Sequence, residues 1–442
     1  MKQDFLKRMK EYLKEEYDAY EQSLQEPMYR GLRVNTLKSN IAEVQALALC
    51  EMIPSKICEQ SFYIPLNITK LGNHPAHLAG LYYMQEPSAS SAVEVLDVQQ
   101  GDWVLDLCAA PGGKSTQIGA KLAHTGFLVS NEIEPKRAQI LLSNMERLGI
   151  CEAMITNAHP DVLCNEMMGC FDRVLVDAPC SGEGMFKKHS KAMEDWSITH
   201  VEACGKRQLQ ILDSAYLALK QGGCIVYSTC TYSIEENEEV IYHFLKQHPD
   251  IELVDAGVAF GRKGFAYENI EVDKVRRILP MDKGEGHFVA KMIKHGEQPQ
   301  ANLKTVQHQV PSFVNTYFQE QLSEVLAYTY VQQDRVYMKQ TAFIQLKKTR
   351  ILRQGILAGE MMKNRFEPHQ HFYTAGVLQN RYLQLYDMSE EETIAYLTGL
   401  QLNVTGYKGF TALSWHNHPI GFGKGDHTVI KNKYPKGMRI HS

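Results

Sequence analysis

Between Gly101 and about Lys294, apolar strands alternate with helical patterns. WVLDLC, GFLVSNE, AMITNA, RVLVDA and CIVYSTC read as strands, with GHFVAKMIK as a late one. KRAQILLSNMERLG and KRQLQILDSAYLALKQGG lie between them as helices. This alternation predicts a doubly wound α/β fold, a parallel sheet covered on both faces. In such sheets ligands collect outside the carboxyl ends of the strands. The residues just past each strand are therefore the place to look for chemistry.

The rest of the chain is arranged around this core. A length of 442 residues is too much for one ordinary core, while 44% hydrophobic and 22% charged residues are ordinary for a folded protein. Phe5, Met9, Tyr12, Leu13, Tyr17, Tyr20 and Leu24 recur at helical spacing, so the chain opens on an amphipathic helix that Pro27 ends. GLRVNTLK reads as a strand and IAEVQALALCEM as a helix. These predict a small N-terminal α/β domain over 1–75 and the sheet domain over 76–297. A mixed domain over 298–375 follows the linker GEQPQANLKTV, and a β-rich module with Gly and Pro turns covers 376–442. Gly222 and Gly223 are placed to cap the second long helix. Ser233 and Glu236 have capping-box spacing for the helix EENEEVIYHFL, whose acids then offset its macrodipole.

No run approaches the roughly 18 apolar residues of a membrane span. The N-terminus is charged and lacks a signal's apolar core, so a cytoplasmic location is expected. All ten cysteines lie between Cys50 and Cys230 without a CxxC pair, which fits reduced thiols better than a disulfide or zinc framework. The net charge of −4 hides an uneven distribution. From Gln401 to Ser442, six basic residues (Lys408, Lys424, Lys431, Lys433, Lys436 and Arg439) stand against Asp426 alone. From Lys347 to Arg365, six more stand against Glu360 alone. Clustered positive charge is the footprint of a phosphate backbone, although a solvated surface carries such runs too.

The segment WVLDLCAAPGGKST sets APGGK between a strand and a helix, where backbone N–H groups and a helix N-terminus await a ligand. Pro111 fixes the turn, and Gly112 with Gly113 allows close backbone approach. The loop is neither GxGxxG nor a Walker sequence, which disfavours a pyrophosphate cradle and a nicotinamide oxidoreductase. Nineteen residues past Gly113 the next strand ends in Glu132, placed to bind ribose hydroxyls. S-adenosylmethionine fits this set, having an adenosine and an amino acid but no phosphate.

Cys180, in DAPCSGEG, and Cys230, in YSTCTYS, each sit in a polar turn just past a strand. Cys50, Cys58, Cys151, Cys164, Cys170, Cys204 and Cys224 read instead as small core hydrophobes, and Cys108 packs on the cofactor loop. Two thiols at the ends of different strands are placed to face one substrate. Carbon 5 of cytosine is too weak a nucleophile to take a methyl group unaided. A thiolate adding at carbon 6 makes the ring an enamine-like species that attacks a methyl sulfonium. Asp177, three residues before Cys180, is placed to hydrogen-bond or protonate N3 of the ring. One thiol suffices for addition, and a second assists release. The base must be flipped out or single-stranded to be reached.

These residues resemble the Nop/Sun family of RNA cytosine-5 methyltransferases, and within it the bacterial ribosomal RNA branch with extra C-terminal domains. The matching segments are RVNTLK (Arg33 to Lys38), MQEPSAS, DLCAAPGGKSTQ, NEIEPKRAQILLSNMERLG, DAPCSGEGMFKK and YSTCTYSIEENE, with GFGKGDHTVIKNKYPKGMR resembling a PUA-like RNA-binding module. The resemblance implies a Rossmann-like S-adenosylmethionine-dependent methyltransferase core acting on cytidine of 16S ribosomal RNA. It further implies Cys230 as nucleophile and Cys180 as the thiol that promotes release. Cofactor contacts carry over to Cys108, Ala109, Ala110, Pro111, Gly112, Gly113, Lys114, Glu132 and Asp177. Where the family places an acid near the adenine this chain reads TNAHPD, so Asn157, His159 or Asp161 is left to make that contact, with His159 in position. Lys187 and Lys188 resemble residues near the RNA strand.

The competing readings are methylation of transfer RNA cytidines and a catalytically inert ribosome assembly factor. A DNA cytosine methyltransferase is disfavoured because its thiol is expected in a PCQ turn, not PCSG. WHNHP (Trp415 to Pro419) reads as a surface or RNA contact, with no metal expected. Trp196 reads as packing. Tyr407, Phe422 and Tyr434 are open to base stacking or to core packing. A monomer is the default.

Overall fold

The computed structural model describes residues 2–188, 190–297, 303–308, 326–363 and 365–440. Part of the expected linker (298–302) and residues 309–325 of the mixed domain lie outside the described residues.

The first sheet holds β1 (Arg30–Val34), β2 (Ile53–Pro54), β3 (Ser61–Ile64) and β4 (Tyr82–Met84) in the order β2-β3-β1-β4. β4 lies beyond the boundary expected near residue 75. The opening helix is two, Gln3–Leu13 and Tyr17–Gln25, and it packs away from this sheet. Phe5, Met9, Leu13, Tyr17 and Tyr20 join Phe186, Trp196 and Tyr232 in one apolar cluster. The amphipathic stripe thus covers the loops that carry the two cysteines, and Trp196 packs there as expected.

The central sheet contains β5 (Trp103–Asp106), β6 (Phe127–Asn131), β7 (Ala153–Asn157), β8 (Phe171–Asp177), β9 (Leu219–Thr229), β10 (Ile251–Val254), β11 (Arg276–Ile278) and β12 (His287–Lys294). Its order is β10-β12-β9-β8-β5-β6-β7, with β5 to β9 parallel, β12 antiparallel to β9, and β11 paired to β12. Winding turns back at β5, which pairs with both β6 and β8. The crevice expected of a doubly wound sheet opens at that switch point, above the carboxyl ends. Near-complete burial of β6, β7 and β9 explains their continuous apolar runs.

Two local expectations fail for reasons of tertiary packing. The long helix ends at Ala218 and the chain passes straight into β9, so Gly222, with φ +77°, bends the start of a strand rather than capping a helix. Ser233 and Glu236 form no capping box, because each side chain bonds across to the Cys180 loop. The mixed domain also supplies a strand, Arg350–Gln354, that pairs antiparallel with β7 as the edge of the central sheet. Glu166 accepts the backbone N–H groups of Lys347, Lys348 and Thr349 beside it.

The C-terminal module has a four-stranded sheet and a helix, Glu390–Thr398, opened by a Ser389–Glu392 capping box. Its Met388, Leu397, Leu413, Trp415 and Ile430 share one apolar core with Leu32, Val34 and Tyr82 of the N-terminal sheet. The two ends of the chain therefore pack on each other.

Candidate active site

Cys108, Ala110, Glu132, His159, Asp177, Cys180 and Cys230 line one cavity of about 540 Å³ above the switch point. A volume of this size suits a small organic cofactor. Leu107, Ile133, Pro160 and Ile211 give it apolar walls.

The turn after β5 shapes one wall from behind. Gly112, at φ +111°, precedes the helix Gly113–Leu122. A Cβ on Gly112 would meet Leu141 Cδ1 at 3.2 Å, and one on Gly113 would meet Gln85 Nε2 at 3.1 Å. These glycines let the turn approach neighbouring protein, and neither they, Ala109, Pro111 nor Lys114 line the cavity. Lys114 Nζ instead donates to Asp177 Oδ2 at 2.6 Å, while Asp177 Oδ1 accepts from Ser228 Oγ at 2.7 Å. Burial, the largest single influence, works to lower the Lys114 pKa, but Asp177 together with Cys230 and Asp106 outweighs it and the net shift is upward. Both oxygens of Asp177 are thereby held in place.

Glu132 Oε1 accepts the backbone N–H of Glu134 at 2.9 Å and Oε2 faces Arg137 at 3.5 Å. His159 is exposed on the rim, 2.5 Å from Asp161 through Nδ1. The Asn157 amide is turned away, donating to the carbonyls of Glu132 and Ile133 at 2.8 Å each. Of the three residues left open near the adenine position, only His159 lines the cavity.

In the parallel register Asp177 faces Ser228, so β8 and β9 end at nearly the same height. The turns that follow bring Cys180 Sγ and Cys230 Sγ to 3.3 Å. The Cys180 pKa is driven well up by its hydrogen bond with Cys230 and then by burial. The shift favours the protonated form of Cys180. Cys108 is also pushed well up, by burial and by the nearby carboxylates, which makes it a poor nucleophile. Cys58, Cys151, Cys164, Cys170, Cys204 and Cys224 are buried, as core hydrophobes should be, whereas Cys50 is only half-buried at the edge of the core shared by the chain ends.

Other sequence candidates fall elsewhere. Lys187 Nζ is tied to the carbonyls of Ser23 (3.1 Å) and Glu26 (2.6 Å), and Lys188 faces Glu285 at 3.5 Å. Arg353 is buried against Glu146, and Lys433 pairs with Glu367 at 2.7 Å, so neither basic run is wholly a free surface. Phe422 and Tyr434 are buried, which removes them as base-stacking platforms. His416 and Asn417, both at positive φ, form the tight turn of a hairpin, and Glu390 accepts from Trp415 Nε1 at 2.8 Å. Arg137 and Arg207 line the cavity and were not singled out from sequence. Arg137 stands five residues past Glu132, within the same NEIEPKR run, which was the available signal.

A doubly wound sheet with one antiparallel strand inserted beside β9, and a glycine turn after β5, defines the class: a Rossmann-like methyltransferase with appended domains. Known proteins share this architecture. A methyltransferase homolog from Pyrococcus horikoshii superposes with TM-score 0.59 at 27% identity, covering 66% of this chain and 95% of its own. The family model for the 16S rRNA methyltransferase RsmB/F matches residues 93–293. Models for the RsmF N-terminal domain (1–87), first C-terminal domain (315–375) and PUA domain (384–440) match the flanks. Ribosomal RNA small subunit methyltransferase F of Photobacterium profundum is 30% identical over 95% of this chain and 93% of its own length. That of Vibrio cholerae is 38% identical over 287 residues, which span 62% of this chain and 59% of the relative. The chain belongs to the RsmF family of 16S rRNA methyltransferases.

Proposed function

We propose that this protein transfers the methyl group of S-adenosylmethionine to carbon 5 of a cytidine in 16S ribosomal RNA, with Cys230 as nucleophile and Cys180 as the releasing thiol. The observation that carries the reading is the 3.3 Å approach of the two thiols in the cavity that Glu132 also lines.

The cavity's groups suit the cofactor. Glu132 offers a carboxylate to a ribose diol and the apolar walls accept an adenine. His159 is the rim group assigned to the adenine. When bound, the cofactor supplies an electrophilic methyl group. The Cys230 thiolate adds to carbon 6 of the cytosine, and Asp177, fixed by Lys114 and Ser228, bonds the N3 edge. Carbon 5 takes the methyl group, a base removes its proton, and the Cys230 carbon–sulfur bond breaks as the double bond re-forms. Cys180 holds its proton beside Cys230 and assists that last step.

The flanking domains, the N-terminal one running through β4 and the others divided at about residues 297 and 375, present the RNA, and the working unit is a monomer in the cytoplasm. The test incubates the protein with S-adenosylmethionine and unmodified small subunits or, separately, unmodified transfer RNA, then measures 5-methylcytidine by nucleoside mass spectrometry. A gain in 16S rRNA supports the reading. A gain in transfer RNA alone would move the substrate, and no gain on either would remove the activity.

A further inference from the structure

Glu183 and Glu236 are buried carboxylates, 3% and 0% exposed, and neither makes an ion pair among the described residues. A buried carboxylate without a cation is costly unless its lone pairs are filled. Here they are filled crosswise. Glu183, in the loop of Cys180, accepts from the three residues that follow Cys230: Thr231 Oγ1 (2.8 Å), Tyr232 N (2.8 Å) and Ser233 Oγ (2.6 Å). Trp196 Nε1 at 2.8 Å completes its shell. Glu236, in the segment after Cys230, accepts from the residue that follows Cys180, through Ser181 N (2.9 Å) and Ser181 Oγ. Gln208 Nε2 supports it at 2.9 Å.

The two loops meet at further points. The hydroxyls of Ser181 and Thr231 are 2.8 Å apart, and Gly184 N donates to the carbonyl of Cys230 at 3.0 Å. A Cβ on Gly184 would come within 3.0 Å of that same carbonyl oxygen, so the approach needs glycine. Asn237 brackets Cys230, accepting from Thr229 Oγ1 at 2.6 Å and donating to the carbonyl of Thr231 at 3.1 Å. Apolar packing alone would keep the loops together without fixing their register. Directional bonds fix it, because sliding either loop strands a buried carboxylate oxygen.

We infer that Glu183 and Glu236 are positioning residues, a crossed pair of carboxylates that sets the Cys180–Cys230 distance. What the distance serves rests on the proposed function, whereas the distance itself rests on the hydrogen bonds above. The pair acts through the thiols' neighbours, and the two acids are absent from the residues that line the cavity.

The test uses the full chain carrying Glu183→Gln, Glu236→Gln or, as the gentlest lesion, Ser181→Ala. The first readout is closure of a Cys180–Cys230 disulfide by diamide, in which the two thiols lose two protons and two electrons to the azo group, reducing it to a hydrazine. Closure is followed by peptide mass spectrometry. Each variant is expected to close at least about tenfold more slowly than wild type, the scale of losing a charged hydrogen bond, with a cooperative fold and S-adenosylmethionine affinity kept and melting temperature lowered only modestly. The second readout is steady-state methylation, where kcat falls while KM for RNA and cofactor holds.

Wild-type closure rates in folded variants would overturn the inference, as would a rise in KM at unchanged kcat. If both glutamine variants fail to fold, Ser181→Ala decides alone. If wild type closes the disulfide and the variants do not, yet no protein methylates RNA, the clamp stands and the proposed reaction falls.

Discussion

On the β5 and β6 side of the cavity, position comes from the backbone: a glycine at φ +111°, a helix start and a strand end carrying Glu132. On the β8 and β9 side, it comes from side chains: two buried acids, four hydroxyls and an asparagine hold the turns that bear the thiols. The cofactor wall can be set by a few consecutive residues because it has to fit a ligand that moves in and out. The thiol wall must hold two reacting atoms at a set separation from two different loops, and no local segment can do that. The difference predicts that lesions on one wall leave the other intact.

The largest effect falls on the thiol wall. Cys230→Ala should lower methyl transfer by roughly a thousandfold or more, the scale of losing a covalent nucleophile, while calorimetry finds S-adenosylmethionine binding as in wild type. Failure of that variant to bind the cofactor would join the two walls and erase the distinction. Cys180→Ala should lower multiple turnover by about a hundredfold. A protein–RNA adduct should then build up on denaturing gels; fast turnover without an adduct would remove its release role. Gly112→Ala tests the opposite wall. Its left-handed backbone and the close approach to Leu141 should cost roughly 1–3 kcal/mol in thermal unfolding and weaken cofactor affinity. Diamide closure of the thiol pair should be unaffected, and a slowed closure would show the walls to be coupled.

A subtler effect lies in pH. Burial raises the Glu236 pKa from 4.5 to about 7, so the folded protein keeps a proton there that the unfolded chain has released. Its contribution to stability is therefore greatest below pH 4.5 and falls as pH rises toward 7. Subtracting the Glu236→Gln stability profile from that of wild type should give a difference that declines across this window and flattens above it. A flat difference would contradict a buried, proton-exchanging Glu236. The smallest effect concerns the C-terminal module. Replacing Lys408, Lys424 and Lys436 by Ala should reduce the salt dependence of RNA binding by about one logarithmic unit of slope for each phosphate no longer neutralised, without changing sequence preference. An unchanged slope would take the RNA off this face.

The same contrast explains what could be read from the residues. The cofactor turn, Glu132 and both cysteines are short motifs at strand ends, and periodicity alone placed the strands. The acids that fix the thiols were visible in PCSGEG and SIEENE but were read locally, because Ser233 and Glu236 have capping-box spacing and only the fold reveals that Glu236 reaches Ser181. The edge strand Arg350–Gln354 was hidden for a related reason, since its partner β7 is far away in sequence. Phe422 and Tyr434 carry lysines nearby, yet both rings are buried, Phe422 on a strand and Tyr434 just past the last one. The shared core of the chain ends likewise depends on packing between distant segments.

Two convergent thiols that divide one reaction between them should leave a trace when one is removed. The decisive experiment traps Cys180→Ala on unmodified small subunits with S-adenosylmethionine, digests both components and locates the nucleotide-bearing peptide by mass spectrometry. A division of labour between the thiols requires a 5-methylcytidine-derived mass on the peptide that contains Cys230. A cross-linked peptide from any other residue, or no adduct with turnover intact, would contradict it.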